Sequence, residues 1–246
     1  MPDRRQTHRQ ERSSLVRWTA RMGAVTAEAL AAREGTSVAS ARARAVAAER
    51  DGHLERRRPL AGQPSLYVIT SAGLAAAGLR RLGPCRISPA NAMHTIACAT
   101  VAVAFEHAYP DQLLLSEREL RHETNDAVVP FACASLPEGP LGRPRVHRPD
   151  LALCPSTPHA GEPVAVEVEL TIKAPRRLAM ICRAWARARN VAGVIYLAPP
   201  EVRRALERAI DSVQAADRIV VVPMASLHEA RQARRQSPAG SVPTDI

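Results

Sequence analysis

The sequence predicts an α/β protein in two parts: a helical amino-terminal third closed by a basic hairpin, then a larger part in which strands and helices alternate. Three observations predict it. A chain of 246 residues accommodates two modest domains. Residues 1–90 carry 16 Lys+Arg against 7 Asp+Glu, a net of +9, whereas residues 91–246 carry 18 against 17, a net of +1. Nearly all of the +10 therefore sits in the first third, as expected of a polyanion-binding module joined to a near-neutral one. Finally, apolar spacing is helical at the start and has a period of two at Val164-Ala165-Val166-Glu167-Val168-Glu169-Leu170.

In the amino-terminal part, residues 1–10 read as disordered. Leu15, Val16, Trp18 and Met22 mark a first helix from Glu11. Thr26 caps a second, with Ala27, Leu30 and Ala31 inward and Gly35 ending it. Thr36 opens a third helix to about Arg50, with Val38, Ala41, Ala45 and Val46 on its inner face and Ser37, Ser40, Arg42 and Arg44 outward. A helix, a Gly-containing turn and a second helix bearing small polar and arginine residues form the helix-turn-helix layout. Asp51-Gly52 turns the chain, Leu54 to Arg58 and Leu66 to Ile69 read as a two-stranded wing, and Thr70 or Ser71 caps a closing helix through Leu79 and Arg81. Thr36, Ser40, Arg42 and Arg44, with Ser37 beside them, are candidates for major-groove contact. Arg56, Arg57 and Arg58 are candidates for phosphates, because clustered arginines add charge without base information. The opposing reading is a protein-binding helical domain with solvated arginines.

A breaker-rich hinge, Arg81-Leu82-Gly83-Pro84 through Ser88-Pro89, leads into the second part. A long apolar helix is expected over 92–107, a strand at Leu113-Leu114-Leu115 and a further apolar pair at Val128-Val129. After a Pro/Gly loop, one strand runs from Val146 through Leu153 and a second from Val164 to Leu170. Ala174-Pro175 starts a helix with Leu178, Ile181, Cys182 and Trp185 as its buried stripe. A strand at Val194 to Leu197, a helix at Glu201 to Val213 and a strand at Ile219 to Val222 complete a sheet sandwiched by helices. Beyond His228 a mobile tail is expected.

The chemistry concentrates in Arg148-Pro149-Asp150 and Glu167-Val168-Glu169 through Lys173, the only lysine of the chain. Acids on an otherwise apolar strand are seldom needed for folding alone. If Asp150 and Glu167 converge, they can hold a divalent cation against a phosphodiester. His147 is assigned no role and His94 is read as structural. Five cysteines without a CxxC pair offer no zinc spacing and no disulfide framework, so buried free thiols in a reducing interior are expected. With only 3% aromatic residues, no uncharged span and no apolar leader at Met1 through Arg12, neither a membrane anchor nor a signal peptide is expected; the cytoplasm is.

Residues 11–82 resemble the winged helix-turn-helix domains of bacterial regulators and mobile-element proteins. The passage from Arg148-Pro149-Asp150 through Glu167-Val168-Glu169-Leu170-Thr171-Ile172-Lys173 to Leu178 resembles the core of the replication-relaxation family, proteins of plasmids and integrated mobile elements. The resemblance implies a winged domain over 11–82 and a restriction-endonuclease-like PD-(D/E)XK domain over 91–228. It further implies double-stranded DNA as partner and Mg²⁺ or Mn²⁺ as cofactor. Asp150 matches the motif's aspartate and Glu167 its second acid. Glu169 stands where the motif has lysine, so Glu169 or Lys173 would orient the attacking water, with Lys173 folding back to do so. The backbone carbonyl of Val168 would complete the metal shell, and an earlier acid is drawn from Glu117, Glu119 or Glu106, with Glu117 as the metal candidate. Two functions follow: a metal-dependent phosphodiester hydrolase in plasmid replication or relaxation, or a non-cleaving DNA-binding regulator or replication accessory factor that uses the nuclease-like domain to dimerise or dock. Winged domains often work in pairs, which would make a homodimer.

Overall fold

The computed structural model describes residues 4–123, 131–137, 145–157 and 161–224. Its amino-terminal elements are α1 (Arg4–Met22), β1 (Ala24–Thr26), α2 (Ala27–Arg33), α3 (Val38–Arg50), β2 (Leu54–Arg57), β3 (Leu66–Ile69) and α4 (Ser71–Ala76). Three helix starts are fixed by side-chain caps. Thr26, Ser37 and Thr70 accept hydrogen bonds from the amides of Ala29, Ser40 and Gly73 at 3.1, 3.1 and 3.0 Å. Gly35, at φ +62°, takes the left-handed turn between α2 and α3 that a side chain would oppose. The three strands are antiparallel in the order β1-β3-β2. Beneath them, Leu15, Trp18, Leu30, Ala41, Ala45 and Tyr67 are buried together.

The structure departs from the sequence pattern at several points. The first helix begins at Arg4, not Glu11; Arg and Gln are good helix formers even where charge suggests disorder. Ser37, not Thr36, caps α3, and Val38 lies in its first turn, 37% exposed rather than on the inner face. β1 was not anticipated, because three residues give no readable period. The closing helix stops at Ala76, before Gly78 at φ +70°, and a 3-10 turn follows at Arg80–Leu82.

The second region comprises α5 (Pro89–Ala108), β4 (Gln112–Ser116), α6 (Glu117–Glu123), β5 (Ala134–Leu136), β6 (Arg145–His147), β7 (Leu151–Pro155), β8 (Val164–Val168), α7 (Pro175–Arg187), β9 (Gly193–Ala198), α8 (Pro200–Ser212) and β10 (Ile219–Pro223). Five strands form a mixed sheet in the order β10-β9-β8-β7-β4, with β8, β9 and β10 parallel and β7 antiparallel to both neighbours. The pleat divides their side chains between two apolar layers. Leu151, Leu153, Val166, Val168 and Leu197 pack on the α5 side. Ala152, Cys154, Ala165, Val194 and Tyr196 pack on the α7 and α8 side, where Leu178, Ile181, Cys182 and Trp185 form the expected stripe. Full burial contributes about 1.5–3 kcal/mol for a side chain such as Leu151 or Leu197.

The strand expected from Val146 through Leu153 is two strands. Pro149 has no N–H to offer a ladder, so β6 ends before it and pairs with β5, while β7 starts afresh at Leu151. Val128-Val129, most of the Pro/Gly loop and the tail beyond His228 lie outside the described residues. The apolar layer under α5 is continuous with the amino-terminal core. Polar contacts join the two regions as well: Arg21 Nε donates to Glu119 at 2.8 Å, Arg33 Nε to Glu106 at 2.8 Å, and Trp18 Nε1 to Glu106 at 3.0 Å. The molecule is an α/β protein with amino-terminal helices and a carboxy-terminal region of mixed sheet and helices. Among the described residues, no helix is long and apolar enough to cross a membrane.

Candidate functional site

The β7–β8 ladder positions the two principal acids. Leu151 pairs with Val166, so Asp150 and Glu167 come one step past the last pair of the ladder, where Glu167 reaches toward Trp185 of α7 and Asp150 toward His94 of α5. Asp150 Oδ2 accepts from the Val168 amide at 2.8 Å, which turns its carboxylate across the end of the strand pair. Its carbonyl accepts from the Glu117 amide at 2.8 Å, drawing the start of α6 to the same place. Asp150, Glu167, Glu169, Lys173 and Glu117 all line one open cavity of about 760 Å³. Arg121, Arg148 and Arg177 line it too, so acids and cations share its walls.

Glu167 is buried, with two donors on one oxygen: His147 Nε2 at 2.7 Å and Trp185 Nε1 at 3.1 Å, both to Oε1. Burial pushes its carboxyl pKa up, and the hydrogen bond from His147 opposes that rise. Burial alone would lower the His147 pKa, but the hydrogen bond and charge of Glu167 outweigh it and raise it. Glu169 is buried rather than an exposed acid, and Lys173, four residues on, folds back to form an ion pair with its Oε2. Burial lowers the ammonium pKa of Lys173, while Glu167 and Asp150 pull it back up.

His94 corrects the sequence reading most. From α5 its Nε2 lies 3.2 Å from Asp150 Oδ2 and 3.1 Å from the Val168 carbonyl. Both are acceptors, so Nε2 carries a proton here. The hydrogen bond to Asp150 raises the His94 pKa above its ordinary value, against burial. Cys98, one turn along α5, places its Sγ 3.6 Å from His94 Nδ1. His94, Cys98 and Asp150 thus form a cluster, with ligand atoms all within 4.8 Å of one another, that is able to hold a metal ion. His147, also without a role in the sequence reading, is a partner of Glu167. The spacing of His94 and Cys98 was visible as an i,i+4 pair, but their meeting with Asp150 spans 56 positions and leaves no sequence signal.

Of the three upstream acids, Glu117 alone lines the cavity. Glu119 and Glu106 are held by Arg21 and Arg33 where the two regions meet. Arg148 Nε is buried and finds no hydrogen-bond partner among the described residues.

On the amino-terminal face, Arg42, Arg56 and Arg58 are exposed and share a shallow depression of about 230 Å³ with Glu28 and Tyr67. Arg42 lies only loosely against Glu28, at 3.9 Å. Arg57 is paired to Glu55 at 2.7 Å. Ser40 is exposed and Thr36 is half-buried, its amide bonded to the Ala31 carbonyl. Ser37 Oγ is engaged as a cap. Arg44 departs from its expected role: its guanidinium, 17% exposed, is locked against Glu34 at 2.7 Å and Glu11 at 3.6 Å, so it braces α3 rather than facing outward.

Comparison with protein-family models, curated proteins and solved structures returns no match. The class defined by fold and cavity is therefore an α/β protein with a carboxylate-, histidine- and arginine-lined cleft at one end of its mixed sheet.

Proposed function

We propose that the protein is a DNA-binding protein of a plasmid or integrated mobile element, with a divalent-metal-dependent phosphodiester hydrolase centre at Asp150 and Glu167. In this reading residues 11–82 form a winged helix-turn-helix and residues 91–228 a restriction-endonuclease-like domain of the kind found in the replication-relaxation family. The observation that supports it is that Asp150 and Glu167, at the end of the β7–β8 pair, line one cavity together with Lys173 and three arginines.

The donor set fits a hard cation. Asp150, Glu167 and the Val168 carbonyl offer oxygen only, as Mg²⁺ and Mn²⁺ prefer. Both hydrogen bonds to Glu167 fall on Oε1, which keeps the lone pairs of Oε2 for a ligand. Glu117, which lines the same cavity, would bind through water. When bound, the cation lowers the pKa of a water and neutralises charge on the phosphoryl oxygens. His147 and Trp185 fix the orientation of Glu167. His94 bridges Asp150 and the Val168 carbonyl, so its partly exposed ring would have to swing aside for both oxygens to hold a cation. Lys173, steadied by Glu169, would orient the attacking water, and Arg148, with an unmet buried N–H, is suited to a phosphate oxygen. Arg42, Arg56 and Arg58 hold double-stranded DNA on the other region, with a homodimer the expected form.

One observation favours the second reading, a DNA-binding factor that does not cleave: Glu169 stands where the motif has lysine. Incubating supercoiled plasmid with Mg²⁺ or Mn²⁺ separates the two. Nicked or linear product with wild type and none with Glu167→Gln supports the hydrolase. Retarded but uncut plasmid with wild type supports the second reading. Equal cleavage by both proteins, or no binding at low salt, overturns the proposal.

A further inference from the structure

The cavity carries a second donor set, chemically unlike the carboxylate pair. His94 and Cys98 stand one turn apart on α5 and cluster with Asp150, and His94 also meets the Val168 carbonyl. From His94 Nε2 the separations are 3.2 Å to Asp150 Oδ2, 3.1 Å to the Val168 carbonyl and 3.7 Å to Cys98 Sγ. A tetrahedral zinc site built from ordinary bond lengths has nitrogen–oxygen edges of about 3.3 Å and nitrogen–sulfur edges of about 3.5 Å. The three separations from Nε2 are close to these edges, and because Cys98 Sγ stands 3.6 Å from Nδ1, beside the ring, a side-chain rotation would complete the arrangement.

A thiolate and an imidazole select a borderline-soft ion over Mg²⁺, which takes oxygen. We propose that His94, Cys98 and Asp150, completed by the Val168 carbonyl, form a tetrahedral site for a thiophilic divalent ion of the Zn²⁺ class. On binding, the ion forms bonds to His94 Nε2 and Cys98 Sγ. The proton on Nε2 and the proton on the thiol both leave their donors; Nδ1 takes one and solvent the other, so each ion releases one proton. No electron changes hands. Because Asp150 and Val168 belong to both donor sets, Zn²⁺ and Mg²⁺ would compete for the same oxygens. Zinc inhibition of cleavage therefore rests on the hydrolase reading, whereas the site itself does not.

Cobalt is the probe. One equivalent of Co²⁺ added to the reduced, metal-free full chain is expected to give a thiolate-to-cobalt charge-transfer band in the near ultraviolet and the strong visible bands of a four-coordinate ion, all bleached by Zn²⁺. Cys98→Ser loses the charge-transfer band. His94→Ala, a change at a partly exposed side chain, weakens Co²⁺ binding by more than the roughly 10–100-fold typical of outer-shell changes. Glu167→Gln keeps the band, even if the same variant abolishes plasmid cleavage or wild type never cleaves. Circular dichroism confirms that each variant is folded. A wild-type protein without the band overturns the proposal, as does a band that survives in folded Cys98→Ser, because another cysteine would then be its source.

Discussion

At the residue scale, the two acids at the end of the β7–β8 pair differ in what surrounds them. Glu167 is enclosed, with His147 and Trp185 on one oxygen, whereas Asp150 meets the Val168 amide and a histidine that reaches the cavity. His94 has a measurable signature. Its pKa is raised in the folded protein by the Asp150 hydrogen bond, so its contribution to stability is fully present below the ordinary histidine value and is lost as pH rises through the raised one. In chelator-treated protein, the difference in Tm between wild type and His94→Ala should be larger at about pH 5.5 than at about pH 8.5. A gap that widens toward high pH would contradict this arrangement. Asp150, Glu167 and Lys173 were legible in the sequence because acids on an apolar strand and a solitary lysine stand out. His94, Cys98 and His147 were not, since each acquires its partner only through tertiary contact.

At the scale of elements, most helices and strands were readable from period and caps. Thr26, Thr70 and the apolar stripe of α7 mark their elements by mechanism as well as by pattern. The failures have physical causes. β1 is too short to show a period, and Pro149 divides what reads as one strand into two with different partners. Arg44 looked outward on spacing alone, but Glu34 and Glu11 hold it. Gly73, in the first turn of α4, packs so closely that an added Cβ would be driven into the His53 carbonyl. Gly73→Ala should therefore destabilise by about 1–3 kcal/mol in denaturant unfolding, despite the better helix propensity of alanine. Unchanged or increased stability would show that α4 can move away from that carbonyl.

At the scale of the whole molecule, the basic third and the near-neutral remainder share an apolar layer and the Arg21, Arg33, Glu106 and Glu119 contacts. The charge asymmetry that suggested two modules does not by itself disclose that seam. If Arg42, Arg56 and Arg58 contact phosphates, DNA affinity should fall steeply with salt, and each Arg→Ala change should reduce the slope of log K against log salt by about 0.9. Arg44→Ala should act through stability instead, leaving the slope unchanged in the folded fraction. Equal slopes for wild type and Arg56→Ala would remove that arginine from the interface.

The most direct test of the hydrolase centre is Mn²⁺ binding to the metal-free full chain, followed by electron paramagnetic resonance. One ion should bind wild type and Cys98→Ser alike, and both Asp150→Asn and Glu167→Gln should lose it. Undiminished binding by either carboxylate variant would mean that these two acids do not share a cation.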